Sequence, residues 1–268
     1  MRRTFFNEFL FQVFALFIAV ILVQTIYVTT VRPKAEAVQA EQELRMKQDA
    51  NYAPPRSVWI LIKDYEQESC FILMLWAFAI MGYKAASAFN ERRLLQKQLL
   101  PVREGVRILP EDTREYARAI QSLPERMRDM LLPRVLLASL ERFGSTRNVQ
   151  DVSSVANAMC EGESERLESE LSMIRYIAWA IPSVGFIGTV RGIGQALGAA
   201  NQAVEGNIAG VTENLGIAFN STLVALLISI VVMFLVHQLQ LLQERLVFDT
   251  ETYVDRNLIR SMQSRQED

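Results

Sequence analysis

Residues 185–198 of the chain read GFIGTVRGIGQALG, and five of these fourteen positions are glycine. Glycine costs helix stability, so its concentration in an apolar stretch of membrane-spanning length predicts helices whose backbones approach each other closely. Gly188 with Gly192, and Gly194 with Gly198, have the spacing of small residues at membrane helix contacts. The stretch therefore predicts an all-α membrane protein whose helices pack through glycine.

Two stripes of small residues follow from helical spacing in this segment and in the next apolar one. The first stripe consists of Gly185, Thr189, Gly192 and Ala196. The second stripe, with Ser221 counted beside it, consists of Ala218, Thr222, Ala225 and Ser229. Thr189 and Thr222 lie roughly 22 Å and roughly 24 Å from the same membrane boundary, so their hydroxyls are expected at one level. A single membrane threonine usually bonds its own backbone, whereas two at one depth predict a polar ring along an ion path or against a partner helix.

Other residues of the glycine-rich segment are assigned to structure. Those expected to pack or kink the helix are Pro182, Gly188, Gly194 and Gly198. Arg191 is the one charge well inside these two helices, and it points about 200° away from Thr189. We expect this structural charge to pair with Glu205, with Glu213 or with lipid headgroups. Neither stripe contains a carboxylate, so a second protein is expected to supply any acid needed for proton transfer.

Four apolar segments reach the length of about 20 residues that a membrane-spanning helix needs. They cover residues 9–31, 69–89, 174–200 and 211–239. Lys84 lies near the end of the second segment and is expected to extend to the membrane surface. Arg2 and Arg3 before the first segment also fit a signal peptide cut near Ala35-Glu-Ala37. The apolar run is longer than in a typical signal peptide, which favours an uncleaved anchor.

The basic residues of short loops indicate the topology. Residues 201–214 contain two glutamates and neither Lys nor Arg, so this loop is expected outside the cytoplasm and both termini inside. Arg32 and Lys34 run against this topology, because they follow the first span on the predicted outer side.

The domain boundaries follow from the spans and from the charge-rich, proline-punctuated middle of the chain, where apolar residues recur at helical spacing. They give an N-terminus with the first span (1–31), a periplasmic loop (32–68), the second span (69–89), a helical cytoplasmic domain (90–173), the third and fourth spans (174–245) and a helical cytoplasmic tail (246–268).

No constellation of catalytic or metal-binding residues emerges from the sequence. The single histidine, His237, ends the fourth span and is expected to anchor it at the interface. Cys70 and Cys160 are expected on opposite sides of the membrane, as packing residues without a disulfide. No Cys/His spacing suits a metal, no phosphate-binding loop is present, and a net charge of −2 gives no surface for nucleic acid. We therefore expect no enzyme activity, metal or cofactor.

Two segments resemble a known family. Residues 181–193, IPSVGFIGTVRGI, resemble the P-x-x-G-L-x-G-T-V-x-G-I segment of the MotA/TolQ/ExbB proton-channel family, and residues 215–226, LGIAFNSTLVAL, resemble the helix that follows it there. The resemblance covers roughly residues 172–245. Four spans are as in the flagellar stator branch, whereas the glycine motif is closer to the Tol and Ton branches, from which Arg191 and Ile217 depart. The second segment is also similar to stator-like subunits of phage-defence systems such as ZorA, so the branch stays open.

The resemblance implies a subunit of an ion-driven rotary motor in the bacterial inner membrane. It implies a pentamer around two copies of a single-span partner of the MotB/TolR/ExbD type, whose membrane aspartate carries H⁺ or Na⁺ and whose outer domain grips the cell envelope. Small-residue stripes without complementary bulk in their own subunit also predict a homopentamer. The alternative is a non-conducting membrane scaffold whose stripes only pack helices and whose cytoplasmic part recruits proteins. The sequence does not show whether the transported ion is H⁺ or Na⁺. It also does not show which cellular process uses the mechanical work.

Overall fold

The computed structural model describes residues 2–48, 55, 57–97, 99–100, 107–200 and 208–262 of the chain. Its α-helices are α1 (Arg2–Ile26), α2 (Arg32–Gln48), α3 (Val58–Leu61), α4 (Tyr65–Leu95), α5 (Thr113–Gln121), α6 (Glu125–Arg128), α7 (Leu131–Thr146), α8 (Val149–Glu170), α9 (Ser172–Gly198) and α10 (Ala209–Asn257). A π-helical turn, Tyr27–Val31, joins α1 to α2, and a 3₁₀ turn, Ile259–Ser261, follows α10. The described residues contain no strand, so the predicted all-α class is confirmed.

Four helical stretches are long and apolar enough to cross a membrane: Glu8–Met46, Tyr65–Leu95, Val149–Gly198 and Gly210–Ser261. α1 is packed in the opposite way from a helix of a water-soluble protein. Small side chains are buried at every fourth position, as at Ala15, Ala19 and Val23, while Phe14 and Ile21 each expose 65% of their surface. An apolar outer face of this extent belongs in lipid. The chain is thus a multi-pass membrane protein.

Two helices extend past the predicted ends of their spans. The first span was expected to end at residue 31, but the π-helical turn is followed by α2, so much of the predicted periplasmic loop is helical. α10 is one unbroken helix of 49 residues, which joins the fourth span to the predicted tail. Hydropathy marks where a span leaves the membrane, whereas the Ala, Glu, Gln and Lys residues of α2 favour a helix in water as well.

The first of two compact units, here called the membrane unit, consists of Met1–Gly82 and Met173–Val236. Within it α1 lies along α4, where the indole N–H of Trp76 donates to a backbone carbonyl oxygen of α1 at 2.9 Å. Tyr27, in the π-helical turn, is buried against Phe71 of α4. These contacts fix α1 beside the first turns of α4.

The second unit, here called the helical unit, consists of Tyr83–Ser172 and His237–Asp268. Its core combines side chains of α7 and α10, namely Leu136, Leu140, Phe143, Val247 and Val254. The predicted domain 90–173 and the predicted tail 246–268 therefore contribute side chains to one core. Sequence spacing predicts each helix but gives no sign of this shared burial.

Lys84 differs from its predicted place. Its ammonium Nζ donates to Glu170 Oε2 at 2.8 Å, and only 6% of the residue is exposed. A buried ammonium is stable only beside a charged partner, and Glu170 supplies that charge from 86 residues away in the sequence. The expectation that Lys84 extends to the membrane surface is therefore wrong.

Candidate functional site

The two stripes of small residues pack against each other inside one chain, within the membrane unit. A side-chain carbon added at Gly185 would lie 2.4 Å from the Cβ of Ala225. One added at Gly192 would lie 2.8 Å from both the Cβ and the backbone nitrogen of Ala218. Because these distances leave no room for a methyl group, α9 and α10 meet backbone to backbone. Ala196, the last residue of the first stripe, is buried as well.

This pairing removes one argument for a pentamer. The sequence argument assumed that neither stripe meets a complementary surface in its own subunit, and that assumption is wrong, since each stripe is the complement of the other. Stripe spacing marks a close helix contact but not which chain provides the second helix. Gly194 and Gly198, also expected to pack helices, have nothing within 4 Å of an added side-chain carbon. Gly188 does pack, against Ser221.

Thr189 and Thr222 meet in the middle of this contact, as their matched depth predicts. Their hydroxyl groups are in hydrogen-bond contact. Thr189 Oγ1 also lies 3.3 Å from the carbonyl oxygen of Gly185 and 3.1 Å from that of Ala218, while Thr222 Oγ1 lies 3.2 Å from the Gly185 oxygen. Each hydroxyl has one proton to donate among these acceptors. We call these two hydroxyls and two carbonyl oxygens the threonine layer; its role in an ion path stays a prediction.

Pro182 and Ser229 are linked through a backbone group. Pro182 lies inside α9 and has no N–H for the carbonyl oxygen of Ala178, one turn earlier. The hydroxyl of Ser229, on α10, donates to that oxygen at 3.3 Å. Ser229 was predicted to face an ion path or a partner, and the structure has it satisfy the backbone acceptor that Pro182 leaves open.

Arg191 pairs with a residue in the first turn of α4, at a position that falls in the predicted periplasmic loop. Its Nη2 lies 2.9 Å from Oε2 of Glu66, which is 9% exposed. Glu66 Cγ would lie 3.0 Å from a side-chain carbon added at Gly188, so its side chain fills space beside that glycine. The expectation of a partner at Glu213 or in lipid is corrected to Glu66, while Glu205 lies outside the described residues. A charged side chain inside the membrane pairs with a counter-ion at the same depth. Glu66, in the first turn of α4, lies at the depth of Arg191.

Glu66 and Gln67 are candidate functional residues that the sequence reasoning missed. Gln67 is fully buried, and its Nε2 donates to Ser221 Oγ at 3.4 Å and to the Leu61 carbonyl oxygen at 3.2 Å. Its Oε1 is buried with no hydrogen-bond partner in the described part of the chain. Two signals were available: the polar run of residues 66–68 directly before an apolar segment, and the need of Arg191 for a counter-ion.

Asp64 extends the charged region at the start of α4. Burial is the main reason that the pKa of its carboxyl group lies above the usual value, and the charges of Glu66 and Glu213 raise that pKa further. Lys63 and Arg191 act in the opposite direction and lower it. Its Oδ2 is buried without a partner among the described residues. The group is therefore easier to protonate than an exposed aspartate.

A second ion pair joins α2 to α4 without reaching the glycine stripe. Arg32 Nη2 lies 2.6 Å from Oε2 of Glu68, whose side chain is 5% exposed.

The two cysteines and the single histidine lie on three different helices. Cys70 and Cys160 are both buried free thiols, and His237 is exposed. Across the residues that the structure describes, no three His, Cys, Asp or Glu side chains are grouped as metal ligands.

The comparison with protein families gives one match. Residues 128–252 match the model of the MotA/TolQ/ExbB proton channel family, a range that contains α9, most of α10 and both threonines, but not α4. None of the curated proteins matches the sequence. The match agrees with the resemblance of the glycine segment and does not select a branch. Over residues 128–252, the chain is thus similar to the MotA/TolQ/ExbB proton channel family.

Proposed function

We propose that the chain is the ion-channel subunit of a rotary motor driven by an ion-motive force. In this proposal five copies surround two copies of a single-span partner with a membrane aspartate, and H⁺ or Na⁺ flow across the bacterial inner membrane drives mechanical work on the cell envelope. Both termini face the cytoplasm, and the chain itself catalyses no chemical reaction. The family match and the four membrane-spanning stretches support the proposal.

The threonine layer is the single observation that carries this proposal. An ion that enters hydrocarbon loses its water, and this loss is costly unless oxygen atoms replace the water. Thr189 and Thr222 bring two hydroxyl oxygens to one level, beside the carbonyl oxygens of Gly185 and Ala218. Hydroxyl groups both donate and accept, so they suit an ion that is exchanged with a partner's carboxyl group.

The alternative function, a non-conducting scaffold, is favoured by a different property of the same layer. Both hydroxyls lie within hydrogen-bond distance of backbone oxygens of their own chain, so neither needs an ion or a partner. The packing of the two stripes on each other also explains the glycines, and this explanation needs no ion path. The two functions differ in whether the layer is needed for transport, which is measurable.

The double variant Thr189→Val/Thr222→Val is expected to lower ion flux by about tenfold or more while the complex still assembles. Valine keeps the shape of threonine but removes the hydroxyl oxygen that would offset lost hydration. The measurement is dye-reported H⁺ and Na⁺ flux into proteoliposomes that contain the chain and its co-expressed single-span partner. Since both hydroxyls act at one level, the double variant should be little worse than the more damaging single variant.

Thr25→Val is the matched control for this test. The Thr25 hydroxyl is exposed on α1 and donates to the Ile21 carbonyl oxygen of its own helix at 2.6 Å. The control therefore removes a membrane hydroxyl without touching the threonine layer, and its flux should stay within about twofold of the wild type. Full flux in the double variant would reject the channel and favour the scaffold. An equal loss in Thr25→Val would show that the layer has no special role.

A further inference from the structure

Gln67, in the first turn of α4, has a buried oxygen that the rest of the chain does not satisfy. The residue has 0% exposure, and its amide nitrogen is used by Ser221 Oγ and by the Leu61 carbonyl oxygen. Its Oε1 has no hydrogen-bond partner within the described residues. Buried polar atoms of native proteins are nearly always satisfied, so an orphaned carbonyl oxygen in a fully buried amide points to a proton donor or a cation.

Two further oxygen-bearing side chains lie beside this amide. A side-chain carbon added at Gly188 would lie 2.7 Å from Ser221 Oγ and 3.0 Å from Glu66 Cγ, so both side chains border the same bare glycine. Gly188 and Ser221 directly precede Thr189 and Thr222 in the sequence. Glu66 and Ser221 therefore border the glycine that directly precedes Thr189, and Gln67 contacts Ser221 through its amide nitrogen.

The charges around these oxygens suit a monovalent cation. Glu66 is held by Arg191 through one short contact of 2.9 Å, and the Nε of Arg191 is buried without a partner in the described part of the chain. Lys63, Asp64 and Glu213 act on the same region. Among these five groups, three carboxyl groups (Asp64, Glu66 and Glu213) face two basic groups (Lys63 and Arg191), so the acidic groups outnumber the basic ones by one.

We propose that Glu66, Gln67 and Ser221 form a binding site for a monovalent hard cation, Na⁺, beside the threonine layer. Carboxylate, carbonyl and hydroxyl oxygens are the ligands that hard cations take in proteins. Arg191 is a positioning residue that pairs with the Glu66 carboxylate, while Glu66 Cγ lies beside Gly188. The site deepens the proposed function and rests on it: this chain then holds an ion-binding group of its own, in addition to the one expected from the partner.

Cation binding is tested on the purified chain in detergent, without a partner. Its melting temperature is measured while NaCl replaces choline chloride at constant ionic strength and constant pH. A bound cation should raise the melting temperature by about 2–4 °C at about fivefold excess over its dissociation constant. A rise with Na⁺ supports a sodium site.

The variants Glu66→Gln and Gln67→Leu should each abolish that rise. Gln67→Leu removes the orphaned oxygen together with the two hydrogen bonds of the amide nitrogen, so its melting temperature without Na⁺ serves as the check of folding. Glu68→Gln is the matched control, because Glu68 lies in the same turn of α4, is similarly buried and is paired with Arg32. The control loses an ion pair away from Gly188 and should keep the rise.

The charge exchange Glu66→Arg/Arg191→Glu separates cation binding from a purely structural ion pair. It restores opposite charges but moves the carboxylate from α4 to α9, so the rise should stay absent. A rise that returns in the exchange overturns the role of Glu66 as a ligand. No rise with Na⁺ in the parent chain overturns the site, as does a rise kept in both Glu66→Gln and Gln67→Leu.

Ion flux distinguishes failure of this site from failure of the motor. Flux in the wild-type complex without any cation-dependent rise rejects the site and leaves the proposed function standing. A rise that is lost in Glu66→Gln and Gln67→Leu, in a complex with no flux, supports the site and rejects the motor. If the wild type shows both the cation-dependent rise in melting temperature and ion flux, Glu66→Gln should lower flux by about tenfold or more. Glu68→Gln should lower it by less than about twofold.

Discussion

Asp64 is the residue whose ionisation has the clearest consequence for stability. Burial raises the pKa of its carboxyl group in the folded chain, so the folded state favours the protonated form. Its contribution to stability is therefore fullest below the unfolded pKa and is lost as pH rises through the folded pKa. Asp64→Asn has no charge to bury, so it should melt at a higher temperature than the wild type near pH 8, and the difference should vanish near pH 4.

The measurement is thermal unfolding in detergent across that pH range, with Asp112→Asn as the control. Asp112 is also a loop aspartate at a helix start, outside the membrane unit. A lower melting temperature of Asp64→Asn near pH 8 would mean that the attraction of Lys63 and Arg191 outweighs the cost of burial.

Among single residues, the position of a residue along its helix axis could be predicted. Its contact with a distant segment could not. The depth of Thr189 and Thr222 follows from the rise per residue, and their hydroxyls do meet. Arg191 and Glu66 are 125 residues apart, and no spacing rule connects them. Lys84 has its partner 86 residues away for the same reason. A buried charge predicts that a partner exists, but only the packing of the helices identifies it.

Among the helices, α9 offers two glycines that test the close contact with α10. A Cβ at Gly192 would lie 2.8 Å from the backbone nitrogen of Ala218 and 2.8 Å from the carbonyl oxygen of Asn214. Backbone atoms cannot swing aside, so Gly192→Ala must push the helices apart and should destabilise the chain by about 1–3 kcal/mol. Thermal or denaturant unfolding of the purified chain measures this loss.

Gly194→Ala is the matched control, two residues away on the same helix. An added carbon there has no neighbour within 4 Å. Alanine also favours a helix over glycine by about 1 kcal/mol, so this variant should be neutral or slightly stabilised. Equal destabilisation by the two variants would contradict the direct contact between α9 and α10.

Which face of each helix carries small residues could be predicted, but not which helix covers that face. Helical spacing placed Gly185 and Gly192 on one stripe, and Ala218 and Ala225 on another. The pattern carries no information on whether the two stripes meet each other or meet copies of themselves. Helix ends were harder for a related reason, because α2 is polar yet rich in helix-forming residues.

For the whole molecule, we expect five copies of the chain in the native complex. Because the two stripes pair with each other inside one chain, this expectation now rests on the family match. Native mass spectrometry after gentle extraction should give a pentamer alone and five-plus-two with the partner. Lipid-free and lipid-supplemented samples serve as controls. A predominant monomer or dimer in both would contradict the motor.

The overall class was accessible from the sequence, and the division into units was not. Apolar length alone predicts four membrane-spanning helices in an all-α chain, and the structure has both. Predicted domains were cut where spans begin and end, whereas core burial joins residues 90–173 to residues 246–268. Burial depends on which side chains meet in space, so boundaries drawn from hydropathy miss a core that two separate segments share.

The hydrogen bond between Ser229 and the Ala178 carbonyl oxygen has a mechanical consequence. A continuous α-helix resists bending because every turn is tied to the next by its own backbone. At Pro182 that tie is missing, and the free oxygen is held by a hydroxyl group of α10 instead. Bending α9 at this point would therefore stretch a hydrogen bond to α10 as well as the remaining backbone hydrogen bonds of α9. Through this hydroxyl group, the shape of α9 at Pro182 depends on the position of α10.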